Sequence, residues 1–541
     1  MQTKNISDLI RIQAKKNPSK AAIKLSKKNI FGKYVYPSYS FDFLNNRINK
    51  LCNKLIELGV KPGHRVLFFV KPNLDFCAIT FALFRLGAIP VFIDPGMKRK
   101  YFVKCIVEVK PDVLIGIPKV HYMRHFYKEN FNNIKIFITT GKLSNIYSKS
   151  IYMRLGKYSD MFKTYQPGKD DLAAILYTSG GTGAPKGVEY SHNIFSAQTD
   201  MLQKEFNLTK DDLDIPGFPL FSFFTLGMGM TSCIPDMDPS KPSECDPAKL
   251  YKNITDTKAT YIAGSPAIWE RLVDYCMKEN LKLNSVKYVV MFGAPVSVSI
   301  HQKFSTILPN GSTYTPYGAT ECLPIANISG KAILSGLHES ILAGHGTCVG
   351  KILTDVKIKI IKQEPNQIDN IQQTTELAIG QIGEIIVHSK NMTRAYFENP
   401  QDTSLSKIKD GNILWHRMGD VGFIDEVGML WFCGRAKHVV DLNGKKYYPS
   451  QVESIYNQHP KIKRSALIEG VDKKPAIVIE RFDQKDVIEP MFLMDLKNLS
   501  QTNIHTKDIH EFHAMAIFPV DTRHNIKIDR TSLEQEIRGQ M

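Results

Sequence analysis

Three features of the chain predict a multi-layered α/β architecture: apolar runs alternating with amphipathic helical stretches over residues 65–140, the same alternation over 259–291, and shorter, turn-separated strand signals beyond residue 352. The first two describe two βαβ-type sheet subdomains, and the third describes a small β-barrel-like subdomain completing a large N-terminal domain. An α+β C-terminal domain follows. At 541 residues the chain is too long for a single core.

In chain order, 65–70 reads as a strand, 74–86 as a helix, 89–94 as a strand, and 113–117 and 134–140 as two more. The apolar run 76–93 is not a membrane span, because Arg85 and the helix-ending Gly87 divide it into a helix and a strand. The strand 172–176 leads into a glycine-rich loop. Residues 215–235 carry no charge and are long enough to cross a bilayer, yet Pro216, Pro219, three glycines and several hydroxyls interrupt them. The sequence therefore predicts a buried loop and helix lining an apolar pocket, and with it a lipophilic substrate. Strand 259–263, helix 266–278 and strand 287–291 form the second alternation, and 356–361, 383–388 and 429–432 are short strands. A boundary is expected across 433–441, dividing the chain into 1–435 and 436–541. The second unit reads as a hairpin about Asn443-Gly444, a helix over 450–458 and strands over 466–469 and 476–480.

Composition excludes several classes. The net charge of +17 is spread over scattered lysines such as Lys15-Lys16 and Lys445-Lys446, so solvated surface charge accounts for most of it. No aromatic-interleaved basic module or zinc-ligand spacing supports a nucleic-acid partner. Nine dispersed cysteines without a C-x-x-C pair predict a reduced, cytoplasmic compartment. The polar, basic residues 1–25 predict no secretory signal, and no transmembrane segment is expected. His505, His510 and His513 match no zinc spacing and read as solvated or structural, and His192 reads as a local cap or packing residue.

The chemistry is carried by four segments. Tyr177-Thr178-Ser179-Gly180-Gly181-Thr182-Gly183-Ala184-Pro185-Lys186-Gly187 places hydroxyls, glycines and a lysine after a strand, a composition suited to gripping phosphate through backbone N–H groups and a mobile cation. It is not a Walker A loop, since Gly187 follows Lys186. The alternative reading of the segment taken alone, and the lesser of the two, is a flexible connection between strand and helix. Tyr314-Thr315-Pro316-Tyr317-Gly318-Ala319-Thr320-Glu321 offers an aromatic ring, a hydroxyl and a carboxylate; Trp415-His416-Arg417-Met418-Gly419-Asp420 is followed by Gly434-Arg435; and Pro519 to Ile528 contains Lys527.

In this order, over nearly the whole chain, the segments resemble the adenylate-forming superfamily of acyl-CoA synthetases, luciferases and peptide-synthetase adenylation domains. The resemblance implies that ATP and a carboxylic acid are joined as an acyl adenylate with release of pyrophosphate, with Mg2+ as the metal. It assigns Thr178, Ser179, Gly180, Gly181, Thr182, Gly183 and Lys186 to the β and γ phosphates, with Gly181 standing where many relatives carry Ser or Thr. It assigns Thr320 to the α-phosphate and Glu321 to magnesium, the hard oxygen ligand that ion requires. Tyr317 and Gly318, with Gly293-Ala294-Pro295, would enclose adenine. Asp420 would accept from the ribose and Arg435 would add a second ribose contact, with Met418 in place of the common Thr. Lys527 would neutralise charge as carboxylate meets α-phosphate. Lys437 occupies the pivot about which the C-terminal domain is mobile between half-reactions.

Within the superfamily, 74–76 through Asp94-Pro95-Gly96-Met97, Ile234 to Pro239 and Pro519 to Lys527 look most like the β-lactone synthetases of bacterial long-chain olefin biosynthesis. In that branch a long-chain 2-alkyl-3-hydroxy acid is activated and its own hydroxyl closes the lactone without coenzyme A. The branch leaves room for association with other enzymes of the same lipid pathway. A fatty acyl-CoA ligase, a free-standing acyl-AMP ligase or peptide-synthetase-type adenylation enzyme, and an inactive nucleotide-binding regulator all remain open at the level of sequence. No residue stands out as the base for the second step.

Overall fold

The computed structural model describes residues 4–94, 96–169, 171–177, 185–520 and 528–540. Two seven-stranded, mostly parallel sheets, with helices packed on them, form the bulk of the molecule. In one, the order runs Gly187–Ser191, Leu172–Tyr177, Ile89–Phe92, Arg65–Phe69, Val113–Gly116, Ile136–Thr139, Lys149–Ser150. Its central strands are apolar on both faces, as a covered parallel sheet requires. In the other, Ser312–Tyr314, Tyr288–Met291, Tyr261–Gly264, Leu213–Pro216 and Thr231–Ile234 run parallel, and the N-terminal strands Ala21–Leu25 and Ser38–Ser40 complete the edge.

The helix Leu74–Leu86 shows how local signals set this frame. Asn73 caps it by accepting from Asp75 N, and Gly87 ends it in the left-handed conformation. It is buried on all sides, and Arg85 is accommodated by donating to Asn45 and Asn49 Oδ1 at 2.9 and 2.6 Å and to Ser7 O at 3.2 Å. Paired in this way, the charge is tolerated in the core.

The third subdomain is an eight-stranded antiparallel sheet that includes Tyr317–Ala319, Cys322–Asn327, Ile413–Ile424 and Met429–Arg435. After Arg435 comes a single 3-10 turn, Ala436–His438, and then the hairpin Val440–Leu442/Lys445–Tyr447, whose Asn443 and Gly444 both take positive φ as a two-residue hairpin turn demands. The remaining C-terminal residues pack Pro449–Tyr456, Pro490–Gln501 and Arg530–Gln540 against the sheet of Ile462–Glu469, Pro475–Arg481 and Glu511–Ala514. This unit touches the preceding subdomain through side-chain amides: Gln458 Nε2 donates to Leu342 O at 2.8 Å and Asn503 Nδ2 to Ala343 O at 3.0 Å.

No helix among the described residues is long and apolar enough to cross a membrane. The uncharged stretch folds as the strand Leu213–Pro216, the turn Pro219–Phe221, the helix Ser222–Met228 and the strand Thr231–Ile234. All nine cysteines are buried and unpaired. His192 is buried and packs locally, its Nδ1 accepting from Ile6 N, while Ser191 caps the helix His192–Glu205. Among the described residues no group of His, Cys, Asp or Glu side chains gathers as a metal cage.

Candidate active site

One cleft of about 2290 Å³ opens where the two parallel sheets, the antiparallel sheet and the C-terminal unit converge. Lys186, Tyr317, Gly318, Thr320 and Glu321 line it, as do Gly293, Ala294 and Pro295 from the turn after Tyr288–Met291. Asp420, Arg435 and Lys437 line it from the antiparallel sheet and its exit. Thr178, Ser179, Gly180, Gly181, Thr182, Gly183 and Lys527 lie outside the described residues. After them the chain returns as an antiparallel strand, Tyr177 facing Gly187, before the helix begins.

The turn Tyr317 to Glu321 is shaped by close backbone approach: a Cβ on Gly318 would lie 2.5 Å from Cys322 O, so only glycine fits there. Tyr190 Oη donates to Thr320 O at 2.5 Å, and Gln198 Nε2 donates to Tyr190 Oη at 3.3 Å. These bonds fix the backbone that presents Glu321.

Two polar clusters follow. In the first, Tyr317 Oη donates to Asp420 Oδ2 at 2.6 Å and Arg435 Nη1 lies 3.0 Å from Asp420 Oδ1. Burial and the Asp420 carboxylate hold the Tyr317 phenol well above its ordinary pKa, and Asp420 in turn raises that of Arg435. Beneath it, Arg417 grips Glu384 with Nε–Oε1 at 2.9 Å and Nη2–Oε2 at 2.7 Å, a buried bidentate pair that anchors the strand Ile413–Ile424 carrying Asp420.

In the second cluster, Tyr396 Oη donates to Glu321 Oε1 at 2.7 Å, and Lys186 Nζ sits 4.9 Å from the centre of the Tyr396 ring while pairing with Asp402 at 2.9 Å. Tyr396 thus bridges the loop lysine and the acidic side chain. Lys407 lies buried behind them, its ammonium donating to Thr393 O, and burial lowers its pKa to about 8 against the opposing pull of Glu321. Burial likewise keeps His416 neutral, its pKa pushed well below the usual imidazole value.

Sequence reasoning missed Tyr190, Tyr396, Asp402 and Lys407. None lies in a segment whose composition marks it, and Lys407 stands in Ser406-Lys407-Ile408-Lys409-Asp410, which reads as a solvated strand. His416 lay inside a segment read for its aspartate and carried no assignment.

The opposite wall is apolar. Phe218, Pro219, Leu220, Phe221, Phe223 and Phe224 face the cleft, with the Phe221 and Phe292 rings tilted against each other at a centroid distance of 4.3 Å. Behind this wall Asp214 is fully buried, accepting from Thr225 Oγ1 at 2.9 Å and Ser232 Oγ at 3.2 Å, and the Ser222 and Ser232 hydroxyl oxygens lie 2.9 Å apart. The first residue and the middle of the helix Ser222–Met228 are thereby tied to the sheet.

Lys186, the turn Tyr317 to Glu321 and the polar cluster of Tyr317, Asp420 and Arg435 thus meet around one cleft. A family model described as "AMP-binding enzyme" matches residues 10–397, and the chain belongs to that family: it is an ATP-dependent, AMP-forming ligase acting on a carboxylic acid. It is 36% identical to the olefin beta-lactone synthetase of Xanthomonas campestris over 91% of this chain and 90% of that one, and 35% identical to that of Stenotrophomonas maltophilia over 91% and 89%. The fold matches ATP-bound MatB from Rhodopseudomonas palustris with a TM-score of 0.78 at 21% identity, over 99% of both chains.

Proposed function

We propose that the enzyme activates a long-chain 2-alkyl-3-hydroxy acid as its acyl adenylate and closes it to a β-lactone. The observation carrying this reading is the 36% identity to an olefin beta-lactone synthetase across nine-tenths of both chains, and the phenylalanine-lined wall suits the acyl chain. In the first step a carboxylate oxygen attacks the α-phosphorus and pyrophosphate leaves. In the second the substrate's own 3-hydroxyl oxygen attacks the acyl carbonyl, the bond to AMP breaks, and the hydroxyl proton is released. Holding nucleophile and ester in one molecule raises the effective concentration, which offsets ring strain.

In this reading Thr178, Ser179, Thr182 and Lys186 hold the β and γ phosphates, with Gly180, Gly181 and Gly183 allowing close backbone approach. Thr320 meets the α-phosphate, Tyr317, Gly318 and Gly293-Ala294-Pro295 enclose adenine, and Asp420 with Arg435 takes the ribose. Lys527 neutralises the charge gathered at the reacting atoms. Magnesium fits the donor set: Glu321 is a cleft-lining carboxylate, and that ion is ordinarily held by one or two carboxylates plus phosphate oxygens, with no all-protein cage. When bound, it would neutralise phosphate charge. Tyr396 orients Glu321. Residues 1–435 and 436–541 act as two domains turning about Lys437, and association with other enzymes of the same lipid pathway accompanies the reaction.

The test is product identification by mass spectrometry with ATP, magnesium and such an acid. AMP, pyrophosphate and a β-lactone should form without coenzyme A, and a matched acid lacking the 3-hydroxyl should stop at the adenylate. Turnover that requires coenzyme A and yields thioesters from both acids would overturn the lactone reading.

A further inference from the structure

The most exposed large apolar side chains of the molecule include a neighbouring pair. Ile30 and Phe31 are 92% and 79% exposed at the tip of the hairpin formed by Lys27–Lys28 and Tyr34–Val35. This tip is a built turn: Asn29 Oδ1 accepts from both Phe31 N and Lys33 N at 3.0 Å, Asn29 N donates to Lys33 O at 2.8 Å, and Gly32 N donates to Asn29 O at 3.0 Å. Two large apolar side chains are held out in water by a turn that prevents them from folding back. Their flanks are cationic: Lys27, Lys28 and Lys33 are all exposed, and residues 27–35 contain no acidic side chain. A pair of apolar side chains ringed by lysines is the chemistry of contact with an anionic lipid surface, where rings and aliphatic groups enter the acyl boundary and lysines meet the headgroups.

The position of the hairpin gives the contact a use. Tyr34 Oη donates to Asp236 Oδ2 at 2.8 Å, and Asp238, Pro239 and Ser240, a few residues on, line the cleft. The hairpin therefore stands beside a mouth of the same cleft whose wall carries Phe218 to Phe224. We propose that the hairpin 27–35 is a finger that docks the enzyme on an anionic membrane surface, placing the cleft beside the bilayer from which a long-chain acid is drawn. The delivery role rests on the long-chain substrate reading; the membrane contact does not.

Co-sedimentation with large unilamellar vesicles, without ATP or acid, tests the contact. Wild-type chain should bind vesicles containing phosphatidylglycerol, bind pure phosphatidylcholine vesicles more weakly, and release from the anionic ones as salt rises. Ile30→Ser with Phe31→Ser should weaken the anionic binding about 10- to 100-fold, as loss of two buried apolar anchors predicts, while pyrophosphate release with a short, water-soluble acid stays at the wild-type rate. Wild-type chain that remains in the supernatant, or a double variant that binds as well as wild type, overturns the proposal. So does a change of mass in light scattering on making the variant, because a second copy of the chain would then be the hairpin's partner. Vesicle binding by a chain that does not turn over long-chain acids upholds the membrane contact and overturns the substrate reading instead.

Discussion

On the wall proposed to hold the nucleotide, side chains are fixed by directed bonds: Tyr317 to Asp420 at 2.6 Å, Asp420 to Arg435 at 3.0 Å, Tyr396 to Glu321 at 2.7 Å. On the wall proposed to hold the acyl chain, rings rest on rings with centroids 4.3 to 6.2 Å apart, Phe221 on Phe292 and on Phe224. Directed bonds enforce one geometry and carry large penalties when a partner is lost. Ring packing enforces a volume and yields gradually. Chemistry should therefore be brittle on the first wall and substrate choice adjustable on the second.

The largest effect is expected from Lys527→Ala. Loss of a charge proposed to act at the reacting atoms should slow pyrophosphate release about 10²- to 10³-fold, with an unchanged thermal melt; near-normal release would remove Lys527 from the chemistry. Tyr396→Phe comes next. Removing the hydroxyl that orients Glu321 should raise the magnesium concentration for half-maximal activity about 10- to 100-fold, and an unchanged magnesium titration would detach Tyr396 and Glu321 from the metal.

Phe221→Ala sharpens the contrast from the other wall. Its removal should shift the preferred chain length and change kcat/KM for the longest acid by about 10-fold, the scale of one hydrophobic contact, while KM for ATP stays within about 2-fold. A comparable rise in KM for ATP would show that the two walls are coupled.

The smallest effect concerns the polar pin behind the apolar wall. Burial pushes the Asp214 carboxyl up to about 7, against the hydroxyls of Thr225 and Ser232, whereas an unfolded aspartate titrates near pH 4. The folded chain thus keeps a proton that the unfolded chain releases. The stabilisation this gives is complete below about pH 4 and is lost as pH rises through 7. Asp214→Asn should flatten that decline, gaining roughly 1 to 3 kcal/mol at pH 8 relative to pH 4.5 in denaturant titrations. Parallel pH profiles for wild type and variant would place the proton elsewhere.

The parallel sheets were legible because a strand covered on both faces must be continuously apolar, as Val113 to Gly116 and Tyr288 to Met291 are. The strand Ala21–Leu25 and the edge strand Ser38–Ser40 were not, since lysine, serine and tyrosine there are only partly covered and mimic a loop. Strand Ile462–Glu469 begins four residues before its expected start at 466 because Lys463 and Arg464 are drawn in by Glu480 from the neighbouring strand. The site shows the same division. Tyr317, Glu321, Asp420 and Arg435 stand in compositionally marked segments, whereas Tyr396 and Lys407 acquire their surroundings only when the antiparallel sheet brings residues some 75 to 86 positions away in the chain against Glu321.

The concealment of the cysteines bears on how the coenzyme question can be asked. All nine lie in the interior, and burial lifts Cys52, Cys105 and Cys322 to about 12, where a thiol remains protonated and unreactive at neutral pH. The native enzyme should consequently be silent toward aromatic disulfide reagents. In a reaction mixture containing coenzyme A, the chromogenic thiol signal then belongs to the coenzyme alone, and its constancy or decay reports thioester formation continuously. A sudden appearance of protein thiols in the same trace would mark the moment at which the fold itself gives way.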